Sequence, residues 1–154
     1  RMAVGPARRV ADLFSGCGTF ALPLAETTEL HAVEGDPAML AALDAGWRGA
    51  PGLKRVRHEV RDLFRNPLRP DELDRFDAVV IDPPRAGAEA QVAAIADSRL
   101  ARLAYVSCNP VTFARDAKRL CSAGFRLDRV DVVDQFRWSG HVELAAALSR
   151  AHIG

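Results

Sequence analysis

The chain has 154 residues, of which 49% are hydrophobic and 27% charged, a composition typical of one globular domain with a sizeable core. Its formal net charge of +1 provides no overall field for nucleic acid, although Arg8 and Arg9 are adjacent and the stretch from Lys54 to Arg69 is locally basic. No window approaches 18 apolar residues, no secretory leader is present and the cysteines lack CxxC spacing, so membrane insertion, export and a metal site are not expected and the cytoplasm is the default location.

Apolar runs alternate with amphipathic stretches along the whole sequence, which predicts strands and helices in one domain, residues 1–154. Because the sequence opens on Arg1 instead of a methionine, we interpret it as a fragment of a longer protein. Strands are predicted at Arg9–Phe14, Leu30–Glu34, Leu53–Glu59, Phe76–Ile81, Leu103–Ser107, Phe125–Val133 and Glu143–Leu148. Helices are predicted at Phe20–Glu26, Pro37–Trp47, Ala88–Ala96 and Pro110–Ala123.

This order of elements predicts an α/β fold. Right-handed crossovers favour a doubly wound, mostly parallel sheet of seven strands with helices on both faces and with ligands beyond the carboxyl ends of the strands. The last two strands are joined by Asp134–Val142 without a helix, so the final strand can pair antiparallel with its neighbour. Such a sheet resembles the Rossmann-like class I methyltransferase fold.

The segment DLFSGCGTFA follows the first strand and opens a helix, and its Gly16 and Gly18 permit a tight turn and close approach by a ligand. Glu34 ends the second strand, where its carboxylate could accept hydrogen bonds from the ribose of a nucleoside cofactor. Both features also fit the GxGxxA fingerprint of dinucleotide-binding proteins, so they leave NAD and S-adenosylmethionine open. Asp62, after the third strand, could bind an adenine amino group or could cap a turn.

A second group of polar residues follows the later strands. The two prolines of DPPRAG stiffen the chain where Asp82 could hold a base edge and Arg85 could meet a phosphate. Cys108 ends the fifth strand just before a helix, whose positive N-terminal end favours a thiolate. His141 and Glu143 are two residues apart, on one face of an extended chain, so one could accept a proton while the other orients it or contacts the substrate.

The other two cysteines have different surroundings. Cys121 lies on a predicted helix between Leu120 and Ala123, and we interpret it as a core thiol. Cys17 lies between the two glycines and is expected to lie against the cofactor. Cys108 is therefore the candidate nucleophile.

Five motifs, DLFSGCGTFALPLA, VEGDP, DPPRAG, SCNP and HVE, occur in the order in which they occur in the RNA uracil-5-methyltransferases, and the chain resembles that family over nearly its whole length. The resemblance implies transfer of a methyl group from S-adenosylmethionine to C5 of a uridine in rRNA or tRNA, through a covalent adduct at C6. It implies that Cys108 is the nucleophile and Glu143 the base. The residues that it matches to cofactor contacts are Phe14, Thr19, Glu34 and Asp82.

The sequence departs from this family at two points. Arg137 and Ser139 stand where the loop before HVE usually has proline and threonine, which puts the loop shape and the choice of target in doubt. Family members also carry an N-terminal RNA-binding domain that this chain lacks, so RNA is expected to be a partner of the longer protein.

Three other functions share parts of the pattern. An NAD-dependent oxidoreductase would explain GxGxxA and Glu34 but gives no reason for DPPR or Cys108. A degenerate methyltransferase domain that only binds RNA or protein would be expected to lack the nucleophile or the base. An amino-methyltransferase shares DPP with its NPPY motif but needs no cysteine. The sequence therefore favours the uracil-5-methyltransferase and leaves the target RNA and the oligomeric state open.

Overall fold

The structure, a computed structural model, describes residues 6–134 and 142–151. Its strands are β1 (Arg9–Leu13), β2 (Glu29–Glu34), β3 (Val56–Val60), β4 (Ala78–Ile81), β5 (Arg102–Ser107), β6 (Arg126–Asp134) and β7 (Val142–Ser149). Its helices are α1 (Ala21–Leu24), α2 (Pro37–Gly49), α3 (Pro70–Leu73), α4 (Glu89–Asp97) and α5 (Pro110–Ser122). None of these helices has the length and apolar character needed to cross a membrane.

The seven strands form one sheet in the order β3-β2-β1-β4-β5-β7-β6. Strands β1 to β5 pair in parallel, and β7 lies between β5 and β6 and runs antiparallel to both. The predicted fold class, with its antiparallel last strand, is confirmed. The strand order reverses between β1 and β4, so a crevice is expected where their carboxyl ends separate.

Two hydrophobic clusters cover the sheet, one on each face. Leu13 and Ile81 belong to the larger cluster, beneath α4 and α5, whereas Val10 and Val80 belong to the cluster beneath α2. Successive side chains of a strand point to opposite faces, so a strand covered on both faces is apolar throughout. This explains why all of β4 is buried.

The two long helices begin at side-chain caps. The Asp36 carboxylate accepts a hydrogen bond from the Ala38 amide at 2.9 Å, and the Asn109 side-chain carbonyl accepts one from the Val111 amide at 3.0 Å. A proline follows each cap, at a position where the missing amide hydrogen has no helical partner to lose. Each helix start is therefore fixed at the carboxyl end of a strand.

Two helices differ from the prediction. The predicted helix Phe20–Glu26 is only the four residues of α1, because the amides of Thr27 and Thr28 both bond to the Leu24 carbonyl and the chain turns there. Helix α3 was not predicted, since four residues are too few to show helical periodicity.

The interpretation of Cys121 as a core thiol is wrong, because its side chain is exposed. Helix α5 buries Phe113, Asp116, Ala117 and Leu120, which are spaced three, one and three residues apart and so lie on one face. Cys121 comes one residue after Leu120 and is rotated by about 100° away from that face.

Candidate active site

The loop between β1 and α1 has an unusual backbone. Gly16 and Gly18 have positive φ angles of 56° and 99°, and Phe14, a bulky residue for which this is rare, has one of 59°. A Cβ atom on Gly18 would lie 3.0 Å from Leu22 Cγ, so this glycine lets α1 pack closely. A Cβ atom on Gly16 would meet nothing within 4 Å, so open space borders the loop there. Thr19, the next predicted contact, is exposed on the same loop.

Glu34 closes this loop from the end of β2. One carboxylate oxygen accepts a hydrogen bond from the Gly16 amide at 2.9 Å. The other accepts bonds from the amides of Gly35 at 3.0 Å and Asp36 at 3.2 Å. The Glu34 carboxylate is thus half-buried and held at the carboxyl ends of β1 and β2, beside the open space at Gly16.

Asp12, on β1, is a residue that the sequence analysis did not select. It is fully buried, and neither carboxylate oxygen makes a hydrogen bond to any described residue, although the Ala21 amide lies close enough to lower its pKa. Burial is the main cause that raises the Asp12 pKa to about 8, and the charges of Asp82 and Glu34 raise it further. A buried carboxylate with no partner is a place where a cation would be stabilised.

Asp62 caps a turn, which was one of its two interpretations. One of its oxygens accepts a hydrogen bond from the Phe64 amide at 2.9 Å. The other lies 3.9 Å from the exposed Arg65 guanidinium, on a side chain that is 53% exposed, and is accessible to solvent. The Phe64 ring packs against Phe14 with 5.3 Å between ring centroids. These half-exposed rings form an aromatic wall beside the glycine loop.

Two acidic side chains meet at the ends of β4 and β7. Asp82 is half-buried, and its pKa is raised to about 6, first by burial and then by the charge of Glu143. Glu143 itself is exposed. His141 lies outside the described residues, as do Arg137 and Ser139.

Cys108 lies at the end of β5 and is partly exposed. In the β5–β7 ladder Ser107 pairs with Leu144, so the register continued by one residue sets Cys108 opposite Glu143. Asn109, the N-cap of the 13-residue helix α5, follows directly. Because the N-terminal end of a helix carries partial positive charge, negative charge on the Cys108 sulfur is favoured there.

The DPPRAG loop is held by side chains of α5. The Arg85 carbonyl accepts hydrogen bonds from the Asn109 amide group and the Thr112 hydroxyl, both at 3.0 Å. Asp116, which is 1% exposed, accepts bonds from the Ala88 amide at 3.1 Å and from the Tyr105 hydroxyl at 2.5 Å.

Arg115 and Gly87 complete this contact. Arg115 donates to the Ala86 carbonyl at 3.2 Å and to the Asp116 carboxylate. A Cβ atom on Gly87 would lie 2.6 Å from the Arg115 guanidinium. The loop that carries Asp82 and Arg85 therefore has one fixed shape against α5.

Sequence comparison decides the family. Residues 50–151, about two thirds of the chain, match the family described as tRNA (uracil-5-)-methyltransferase. The chain belongs to this family. Among its relatives, an RNA methyltransferase of Brucella suis is 56% identical over 96% of this chain, and a 23S rRNA (uracil(1939)-C(5))-methyltransferase of Chromohalobacter salexigens is 42% identical over 92%. The chain spans 35% of the first relative and 29% of the second, about a third of their length.

Solved structures agree with this assignment. The tRNA (uracil-54, C5)-methyltransferase of Pyrococcus abyssi, in complex with S-adenosyl-L-homocysteine, superimposes with a TM-score of 0.78 and 30% identity, over 92% of this chain and 34% of that chain. The magnesium protoporphyrin IX methyltransferase of Synechocystis superimposes with a TM-score of 0.71 over 95% of this chain and 71% of that one. At 17% identity the second likeness shows the fold alone.

In this uracil-5-methyltransferase chain, most residues selected from the sequence lie at the carboxyl ends of adjacent strands. Two that the sequence did not reveal are Asp12 and Asp116, although a charged residue within the apolar run RVADL was a signal for the first. The open space at Gly16 and the unpartnered Asp12 carboxylate suit a nucleoside that carries positive charge. The pyrophosphate of a dinucleotide would bring negative charge toward Glu34 and Asp82, which argues against NAD.

Proposed function

We propose that this chain, residues 1–154, is the catalytic domain of an enzyme that transfers a methyl group from S-adenosylmethionine to C5 of a uridine in RNA. The observation that carries this proposal is the pairing of Ser107 with Leu144. Continued by one residue, this register would bring Cys108 opposite Glu143, at the end of the sheet where Glu34 and Asp82 also lie. The proposed enzyme works in the cytoplasm, where its RNA substrate is found.

The residues of the glycine loop and its surroundings fit S-adenosylmethionine. When bound, this cofactor supplies an electrophilic methyl group on a positively charged sulfur. Glu34 would accept hydrogen bonds from the ribose, and the accessible oxygen of Asp62 would accept one from the adenine amino group. Asp82, with a pKa of about 6, supplies negative charge near a bound cation, and Asp12, with a pKa of about 8, would ionise when the cation binds. The remaining proposed contacts are Phe14, Gly16, Gly18 and Thr19.

Cys108 solves the main chemical problem, which is that uracil C5 is a poor nucleophile. Its sulfur adds to C6, and the electron pair of the C5–C6 double bond moves toward C5 and O4. C5 would then form a bond to the methyl carbon while the bond between that carbon and the cofactor sulfur breaks, so that S-adenosylhomocysteine leaves. Glu143 removes the C5 proton, and breaking of the bond between sulfur and C6 restores the double bond and frees Cys108.

Asp82 and Arg85 are proposed to position the RNA. Asp82 would hold an edge of the uracil, and Arg85 would contact a phosphate next to it. His141 is proposed to contact the substrate or to orient Glu143. A uridine stacked in folded RNA cannot reach Cys108, so the nucleotide would be flipped out at a cost of roughly a few kcal/mol.

Substitutions of the proposed nucleophile and base test this mechanism in the complete enzyme that contains the domain. Cys108→Ala should abolish methylation of RNA while S-adenosylhomocysteine still binds, as calorimetry can measure. Glu143→Gln should accumulate a covalent protein–RNA adduct on a denaturing gel, since the proton on C5 stays in place. Glu34→Ala should lose the binding of S-adenosylhomocysteine.

Cys121→Ala is the matched control, because it removes an exposed thiol on the far part of α5 and should leave the rate unchanged. Full activity of Cys108→Ala would overturn the mechanism.

The relatives of this chain include both an rRNA and a tRNA methyltransferase, so unmodified rRNA and unmodified tRNA should be compared as substrates.

A further inference from the structure

A cavity of about 360 Å³ lies at the end of the sheet opposite to Cys108. It is bordered by the first residues of β1 and β2, by the residues around the start of β3, and by the segment that contains α3. Strand β1 rises from Arg9 at the cavity to Leu13 at the glycine loop, a distance of roughly 13 Å. The cavity is therefore separate from the candidate active site.

Two basic segments that are far apart in the sequence meet at this cavity. Arg9 comes from the N-terminal pair of arginines, and Arg55 and Arg57 come from the basic stretch after Lys54. The parallel registers set Glu29 between Arg9 and Arg55 and place His31 beside Arg57. Arg75, which precedes β4, is the fourth arginine of the lining.

Neighbouring carboxylates do not neutralise the arginines of this lining by direct contact. Within the described residues, the guanidinium groups of Arg9, Arg55, Arg57 and Arg75 make no hydrogen bond or ion pair, and all four residues are exposed. Arg9 and Arg75 act at longer range on Asp77 and Asp71, whose pKa values they help to lower.

The carboxylates of the lining are mostly neutralised from another side. Glu72 and Glu59 are bonded to the nearly buried Arg61, at 3.1 Å and 3.3 Å, and Glu59 also bonds to His31 at 3.0 Å. Since Arg61 balances one of these two carboxylates, the other and Glu29 leave two negative charges against four arginines, and the opening of the cavity has an excess of positive charge.

The cavity has a floor as well as a charged rim. Leu30 and Leu68 are buried at its base, and the Phe76 ring stacks on His31 with 5.7 Å between centroids. Its volume lies at the small end of the range for ligand sites. Guanidinium groups bind phosphate oxygens through paired hydrogen bonds. Such a rim therefore suits one or two phosphates better than a small uncharged ligand.

We propose that this cavity binds phosphates of the RNA strand, outside the crevice that holds the target uridine. The inference rests on the proposed function, because it takes RNA as the substrate. The cavity contacts RNA that flanks the target nucleotide or folds back past the β3 edge of the sheet. These contacts add affinity and orientation without reading the base sequence.

The test measures binding of a fluorescein-labelled single-stranded oligouridine to this chain by fluorescence anisotropy, over a series of salt concentrations. Arg55→Ala/Arg57→Ala should weaken binding roughly fivefold or more at low salt and should reduce the slope of log K against log salt by about 1.4, which is two phosphate contacts on a single strand. Arg55→Lys/Arg57→Lys should keep part of the affinity, since charge remains but the paired donors are lost.

The matched control is Arg126→Ala/Arg129→Ala, which removes the same charge from β6, where each arginine is paired with an aspartate. Equal losses in the two double alanine variants, or no loss in either, would overturn the proposal. Displacement of the oligouridine by inorganic phosphate far below the ionic strength at which sodium chloride displaces it would identify a site for free phosphate instead, which also overturns it.

Binding of S-adenosylhomocysteine is measured on the same samples. Equal affinity in the parent and the variants establishes that the substitutions leave the fold intact. Failure of the parent to bind S-adenosylhomocysteine would count against the proposed function, whatever the arginine variants do with RNA.

Discussion

The Asp12 carboxyl group lies in an environment that strongly disfavours its ionised form. Burial, Asp82 and Glu34 all disfavour its ionised form, and the pKa of about 8 means that the folded protein holds a proton there at neutral pH. A positively charged cofactor would reverse this balance by favouring the ionised form. The pKa of Asp12 therefore changes when the chain folds and would change again when a charged ligand binds.

We expect Asp12 to make the stability depend on pH between about 4 and 8. Over this window the unfolded chain has lost the Asp12 proton and the folded chain keeps it, so the free energy of unfolding falls as the pH rises. Asp82, with a pKa of about 6, contributes to the lower part of the same window. Asp12→Asn should remove the fall between pH 6 and 8 in urea unfolding curves.

The comparison of the two curves isolates Asp12, because both proteins contain the same four histidines. Parallel curves for the parent and Asp12→Asn from pH 6 to 8 would contradict the assignment.

At the scale of elements, α5 organises the reaction half of the site. Its N-cap, Asn109, follows Cys108, the proposed nucleophile, and its buried face presents Asp116 to the Ala88 amide and the Tyr105 hydroxyl. Burial, and then the bond to Asp116, raise the pKa of Tyr105, so this hydroxyl remains a donor. The helix thus fixes both the loop before α4 and the cysteine at its own start.

We expect Asp116→Asn to lower the free energy of unfolding by about 1–3 kcal/mol. The Ala88 amide and the Tyr105 hydroxyl donate to one Asp116 oxygen and Arg115 donates to the other, so an amide nitrogen in either position leaves a donor without an acceptor. The methylation rate should fall, because the Asp82 loop loses its anchor, while the affinity for S-adenosylhomocysteine should change little. Urea unfolding and calorimetry measure the two effects.

Asp128→Asn is the control, since this carboxylate bonds to Arg126 and Ser149 at the surface of β6, and it should change stability by less than about 0.5 kcal/mol. If Asp116→Asn also changed the free energy of unfolding by less than about 0.5 kcal/mol, the anchoring role of Asp116 would be contradicted.

Strands and long helices could be predicted because their patterns are local: β4 is a continuous apolar run, and α2 and α5 each follow a capping residue and a proline. The glycine loop and Cys108 were found for the same reason. Asp12 and Asp116 were missed because their burial depends on elements distant in the sequence. The position of β7 between β5 and β6 depends likewise on the whole sheet.

At the scale of the molecule, the charges are separated although the net charge is only +1. The carboxylates of Glu34, Asp82 and Glu143 lie at the end of the sheet where the parallel strands have their carboxyl ends, and the four arginines of the cavity lie at the opposite end. Phosphate groups are therefore disfavoured near the glycine loop, and a neutral base and a positively charged cofactor are favoured there.

We expect the acidic end to discriminate between two nucleoside cofactors. S-adenosylhomocysteine should bind with saturation in a calorimetric titration, whereas NADH, whose pyrophosphate carries negative charge, should give no saturable heat at the same concentrations. Tight binding of NADH would revive the oxidoreductase interpretation of the glycine loop.

The antiparallel strand β7 has a consequence for how this enzyme family could diversify. Because Ser107 pairs with Leu144, we expect the Cα atoms of the next residues, Cys108 and Glu143, to lie roughly 5 Å apart. This spacing is set by the ladder and not by the chain that joins β6 to β7. We therefore expect substitutions at residues 135–140 to leave the spacing between the Cys108 and Glu143 backbones unchanged, so that this segment can vary without moving the proposed nucleophile from the proposed base.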